Sequence, residues 1–232
     1  MQGIMKKEYH DKRKKRLDLS YRLKRRTFEV KKIIKKNFDK SIISKLNCLD
    51  IGTADGLMLS RLNNYFKFKK AIGIDMCDDL IKTNTDKNIK LEIGSAEKLQ
   101  FKSNSFDIIM GCAVIEHINH PNKMLKECYR VLKKGGVLII TTPNPIHDVI
   151  ATKIGYFEED NHIETLNLKK LHKIFRLNQF KLIYSKYFML FPFLKLPFEN
   201  QIESFTRSIG LGRIMSNQLV VGRKSGKSSI KK

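Results

Sequence analysis

From Asn47 onward the chain consists of short apolar runs separated by longer amphipathic stretches, and this alternation constrains its fold more than any other feature. The runs Cys48–Gly52, Ala71–Asp75, Lys90–Ile93, Phe106–Gly111 and Val137–Thr141 have strand length. Between them, Leu57–Tyr65, Asp78–Thr85 and Asn122–Leu132 read as helices, and Leu168–Leu177 reads as a helix before a sixth run, Lys181–Tyr187. A seventh run is Gln218–Gly222. Strands alternating with helices predict parallel βαβ units in an α/β sheet covered on both faces. The aromatic-rich stretch Phe188–Ser216 offers no obvious crossover helix, so the last two strands are expected as an antiparallel edge pair.

Outside this pattern lie a basic segment, residues 1–46, and a lysine- and serine-rich tail, residues 224–232, expected to be disordered. The division is therefore 1–46, 47–223 and 224–232. Phe28, Ile33, Ile34, Phe38, Ile42 and Leu46 recur near helical spacing, which predicts a buried face on the second half of a basic helical extension. Residues 1–25 carry little to anchor them. The chain has 46 Lys+Arg against 23 Asp+Glu, a net charge of +23, which implies attraction to nucleic acid, phosphorylated substrates or a lipid surface without choosing among them.

Length and thiols exclude several classes. With 232 residues, 41% of them hydrophobic, the chain is neither a disulfide scaffold nor a disordered tail. Cys48, Cys77, Cys112 and Cys128 form no C-x-x-C pair, so small core thiols in a reducing compartment are expected rather than a metal knuckle. The longest apolar run, Tyr187–Leu194, is broken by Pro192 and falls short of the roughly 18–20 residues that span a bilayer. The expected location is cytoplasmic, with peripheral contact at an anionic membrane surface left open.

The chemistry is concentrated in Leu49-Asp50-Ile51-Gly52-Thr53-Ala54-Asp55-Gly56, which follows a strand-like run and opens a helical one. Such a turn lies at the carboxyl edge of an α/β sheet, where ligands bind and glycines let the backbone approach them. A dinucleotide turn wants G-x-G-x-x-G, but the corresponding positions here are Gly52, Ala54 and Leu57. Asp50, Gly52, Ala54 and Gly56 instead match D-x-G-x-(G/A)-x-G. This pattern resembles motif I of the class I S-adenosylmethionine-dependent methyltransferases, and the resemblance continues along the chain. Ala71-Ile72-Gly73-Ile74-Asp75-Met76 is similar to the family's second motif and Ile93-Gly94-Ser95-Ala96-Glu97-Lys98-Leu99 to its G-D-A-E-x-L segment. Ser105–Met110 followed by Glu116-His117-Ile118 resembles the fourth-strand motif, and Val131–Leu138 the R-V-L-K-P-G-G turn. The similarity runs from Leu49 to Pro145.

The resemblance implies a Rossmann-like, seven-stranded, mostly parallel sheet with helices on both faces, S-adenosyl-L-methionine as cofactor, and methyl transfer by in-line displacement. It places Asp50, Gly52, Ala54 and Gly56 against the methionine end and Asp75 on the ribose hydroxyls. Met76, Ser95 and Ala96 fall toward the adenine, and Cys112 at the end of the fourth strand. Ser95 stands where the family often has Asp. Ala54 stands where it has a glycine, which asks only for clearance provided its φ is negative. Nucleobase-amine methyltransferases carry (N/D)-P-P-(F/Y) after the fourth strand, whereas this chain has Gly111-Cys112-Ala113-Val114.

The nearest resemblance is to enzymes acting on quinones, lipids, sugars and other small molecules, so a small-molecule, glycan or lipid-linked acceptor is expected, methylated at oxygen. His117 and His162 are the candidate substrate-side groups, His162 because His162-Ile163-Glu164-Thr165-Leu166 follows Thr142-Pro143-Asn144-Pro145 as in quinone-type O-methyltransferases. The acceptor is expected between the ends of strands four and five, covered by residues 28–46, 146–165 and 188–215. An RNA-directed enzyme using the basic N-terminal segment, or a non-catalytic cofactor-binding module, are the alternatives.

Overall fold

In the computed structural model, which describes residues 17–147, 166–193 and 195–226, seven strands form a single sheet. They are β1 Asn47–Ile51, β2 Lys70–Asp75, β3 Lys90–Ile93, β4 Phe106–Cys112, β5 Leu132–Pro143, β6 Phe180–Phe188 and β7 Asn217–Lys224, in the order β3-β2-β1-β4-β5-β7-β6. The β1–β5 pairings are all parallel, and β7 runs antiparallel between β5 and the outermost strand β6. The expected antiparallel edge pair is therefore present. Because β1–β5 run the same way, Ile51, Asp75, Ile93, Cys112 and Pro143 end on one edge of the sheet, where ligands of such sheets bind.

Helices α1 Leu17–Asn37, α2 Lys40–Ile43, α3 Leu57–Phe66, α4 Asp78–Ile81, α5 Pro121–Val131, α6 Leu168–Leu177 and α7 Glu199–Ser208 surround this sheet. Successive strand residues point to opposite faces, and the two cores follow that alternation. Cys48, Ile108, Met110, Val137 and Ile139 pack with Val30, Ile33, Ile34 and Phe38 of α1 and Leu59 and Leu62 of α3. Leu49, Ile109, Leu138 and Ile140 pack with Met124, Leu125 and Cys128 of α5 and Leu171 and Phe175 of α6. Cys48 and Cys128 are buried and all four cysteines are free thiols.

β5 begins where α5 ends, five residues before the apolar run suggests. It pairs Leu132 with Phe106, then bulges before pairing Val137 with Ile108. Gly135 has φ +80°, and a Cβ on Gly136 would lie 2.8 Å from the Asp107 carbonyl, so the bulge requires both glycines.

The structure corrects three expectations about the segments outside the sheet pattern. Within the described part of residues 1–25, Leu19, Leu23 and Arg25 are buried, whereas Phe28 is exposed. Second, Phe188–Ser216 contains a regular helix, α7, and a 3-10 turn at Leu211–Ile214. Third, part of the basic charge of α1 faces inward. Arg25 Nη2 donates to both Glu203 carboxylate oxygens at 2.8 Å, and its Nη1 lies 3.3 Å from Glu199. Tyr21 Oη donates to Glu199 at 2.5 Å. Glu29 is paired with Lys186 at 2.6 Å. This buried network joins α1 to α7, because a buried charge persists only when paired.

Candidate active site

The turn after β1 is stitched to the next strand: the Gly52 and Thr53 amides both donate to the Ile74 carbonyl, at 2.9 and 3.0 Å. Gly52 and Gly56 have φ of +69° and +73°, and a Cβ on Gly52 would stand 2.5 Å from Val114 Cγ2. Only glycine enters that conformation and that space without strain. Ala54 does not meet the condition under which alanine would ask only for clearance: its φ is +54°, in the left-handed region. The reversal of the chain between two positive-φ glycines imposes this, and Ala54 N donates to Asp75 Oδ2 at 2.8 Å.

Asp75 is half-buried at the end of β2, and its Oδ1 accepts from Cys77 N at 2.9 Å. Asp50 lies beneath the turn, buried, with Thr53 Oγ1 donating to it at 2.8 Å. Burial, reinforced by the charge of Asp75 and opposed by the Thr53 hydrogen bond, pushes the Asp50 carboxyl up to about 7. Gly73 belongs to the same construction, since a Cβ there would meet Thr53 Oγ1 at 2.6 Å. Sequence reasoning passed over Thr53 and used Gly73 only as part of a motif.

The remaining expected residues follow along the same edge. Met76, next to Asp75, is exposed, and Ser95 is half-buried, its Oγ accepting from Glu97 N at 3.2 Å. Ala96 is buried in the core with Ile74 and Leu99, so its methyl is a packing group. Cys112 ends β4, and burial, with Asp50 nearby, pushes its thiol up to about 12. His117 is half-buried on a 3-10 turn, Ile115–His117, directly beyond β4. His162 lies outside the described residues, as does most of 146–165.

Several groups at this edge were not singled out from sequence. Glu116 is buried, and its Oε2 accepts from Thr142 Oγ1 at 2.9 Å, tying the segment after β4 to the end of β5. Asn144 is buried and donates to the Arg213 and Met215 carbonyls at 2.7 and 2.8 Å. Arg26 of α1 donates through Nε and Nη2 to Asn217 Oδ1, both at 3.2 Å, and Asn217 is paired with Pro143 at the end of β5. A guanidinium assigned by sequence to a basic surface thus stands at the sheet edge. Its charge opposes the rise at Cys112. His147 is half-buried there, its pKa lowered by burial and by Arg22.

Comparison with known proteins agrees with this geometry. Residues 49–140 match the family described as a methyltransferase domain. An uncharacterized protein of Methanocaldococcus jannaschii is 35% identical over 147 residues, covering 62% of this chain and 53% of that protein. The mitochondrial ubiquinone biosynthesis O-methyltransferase of Mus musculus is 31% identical over 127 residues, 50% of this chain and 34% of that one. The chain thus spans about half or less of these relatives' length. The fold recurs in phosphoethanolamine N-methyltransferase 2 of Haemonchus contortus, solved with S-adenosyl-L-methionine, at a TM-score of 0.58 and 18% identity over 78% of this chain and 49% of that one.

Proposed function

We propose that this chain, whose residues 49–140 match a methyltransferase domain, is a class I S-adenosylmethionine-dependent methyltransferase that transfers a methyl group to an oxygen of a small-molecule, glycan or lipid-precursor acceptor. The observation that carries the reading is the positive-φ turn Gly52–Gly56 hydrogen-bonded to Asp75. The residues present fit the cofactor. The absence of Cβ atoms at Gly52 and Gly56 lets the turn take positive φ packed against Val114, Ile89 and Leu91, which holds its backbone at the sheet edge for the methionine end. Each Asp75 oxygen accepts one backbone amide and keeps a lone pair, so the carboxylate can accept from both ribose hydroxyls. Met76 and Ser95 fall beside the adenine in this assignment, and Asp50 holds the turn through Thr53.

When bound, S-adenosylmethionine supplies a methyl carbon already activated by its sulfonium, so the protein's task is to align a nucleophile, exclude water and accept a proton where the nucleophile carries one. Cys112 and the Glu116–Thr142 pair shape the acceptor side between the ends of β4 and β5. His117 is the proposed proton acceptor for a hydroxyl nucleophile, since a neutral imidazole nitrogen can take the proton that the hydroxyl loses. His162 is retained as a second substrate-side candidate. The O-methyltransferase named among the relatives supports oxygen as the nucleophile.

The test is calorimetry with S-adenosylhomocysteine on the wild type and Asp75→Ala. Loss of hydrogen bonds to a charged acceptor, about 1.5–3 kcal/mol each, predicts at least a tenfold weaker Kd. Unchanged affinity refutes the assignment.

A further inference from the structure

The outer surface of residues 195–217 sorts its side chains in an unusual way. Ile202 and Phe205 lie on α7, with Phe198 and Ile209 at the caps that flank its two ends, so the four recur at i, i+4, i+7 and i+11. With Leu211 and Ile214 of the following turn, these six side chains are between 39% and 74% exposed. Scattered apolar residues are normal on a protein surface, but a continuous stripe marks a docking face.

Charge is sorted in the complementary sense. Residues 195–217 contain two carboxylates, Glu199 and Glu203, and both are turned toward α1: Glu203 takes Arg25 and the Met189 and Leu190 amides, and Glu199 takes Tyr21 and Arg25. On α1, Glu29 is buried against Lys186. The exposed charged residues of 195–217 are Lys195 and Arg213, and those of α1 are Lys24, Lys32, Lys35 and Lys36. The face thus offers apolar side chains and cations, while its acids serve the interior.

We infer that this face seats on an anionic phospholipid bilayer. Phenylalanine and isoleucine side chains suit the boundary between headgroups and acyl chains, and flanking Lys and Arg pair with lipid phosphates and carboxylates. Among the described residues no helix is long and apolar enough to cross a membrane, so α7 lies in the interface plane. Glu203 ties α7 to the residues just after β6, whose end stands at the sheet edge that carries the candidate site. Docking therefore brings the bilayer to that edge.

Cosedimentation of the full chain with vesicles of phosphatidylcholine alone and with about a third phosphatidylserine tests this. The charge-neutral variants Phe205→Ser/Ile209→Ser and Phe198→Ser/Ile202→Ser separate insertion from bulk electrostatics, and circular dichroism and S-adenosylhomocysteine affinity serve as controls. We expect wild-type binding to the anionic vesicles, weaker on phosphatidylcholine, and at least a tenfold loss in either variant with both controls unchanged. Absence of wild-type binding overturns the inference, as does equal binding by the variants. A wild-type dimer in light scattering that either variant converts to monomer also overturns it, assigning the face to a second copy.

Discussion

Replacing Gly52 by alanine isolates the backbone demand of the candidate site. The residue has φ +69°, and the added methyl would lie 2.5 Å from Val114 Cγ2 and 2.8 Å from Val114 Cβ. A non-glycine residue in the left-handed region costs about 1–3 kcal/mol, and forcing a methyl into a packed space about 1–3 kcal/mol more. Gly52→Ala should therefore lower unfolding free energy by about 2–6 kcal/mol, a large part of the stability of an ordinary domain. Urea denaturation followed by circular dichroism measures it. Trimming the neighbour separates part of the steric cause: in a Val114→Ala background the Cγ2 contact is gone, so the added cost of Gly52→Ala should fall by about 1 kcal/mol or more, leaving the dihedral strain and the 2.8 Å approach to the Cβ that alanine retains. A loss below about 0.5 kcal/mol, or the same loss in both backgrounds, refutes the argument.

Asp50 makes a pH-dependent prediction. Its folded pKa is raised to about 7, well above the unfolded value of about 3.9, so the folded state holds a proton that the unfolded state releases between those limits. Its contribution is fully present below about pH 4 and is lost as pH rises to about 7. The stability of Asp50→Asn relative to wild type should rise across that window in thermal denaturation, and a pH-independent difference contradicts it. Arg25→Met leaves Glu203 and Glu29 buried beside an apolar group and should cost about 3–5 kcal/mol. Arg25→Met/Glu203→Met should cost less than the sum of the two single changes, which chemical denaturation of the four proteins resolves.

The sheet was legible because its determinants are local. Strands β1 to β4 fall within one residue of the runs that predict them. Inside the sheet, β1 and β4 are mostly apolar because both of their faces are covered, whereas β3 is an edge strand with exposed Lys90 and Ile93. The edge position of β7 and β6 also followed, from the missing crossover helix between them. That stretch nevertheless contains α7, whose pattern is inverted: Glu199 and Glu203 face the protein while Phe205 and Ile209 face out, so the periodicity does not read as a core-packing helix.

The amino-acid sequence by itself determined the glycine turn, the carboxylate ending the second strand and the order of the elements that bring them together. Each depends on neighbours within a few residues, through strand patterning and the glycine preference for positive φ. Tertiary structure alone decided the rest. Arg25 and Arg26 sit in a run of similar cations, and nothing local marks which guanidinium meets Glu203 or Asn217, far along the chain. Ala54 adopts φ +54° because the turn around it is tied to Ile74 and Asp75. Ala96 is buried because Ile74 and Leu99 close over it. Each of these outcomes is set by a partner distant in sequence, and a buried charge or a strained dihedral persists only where the packed fold holds that partner in place.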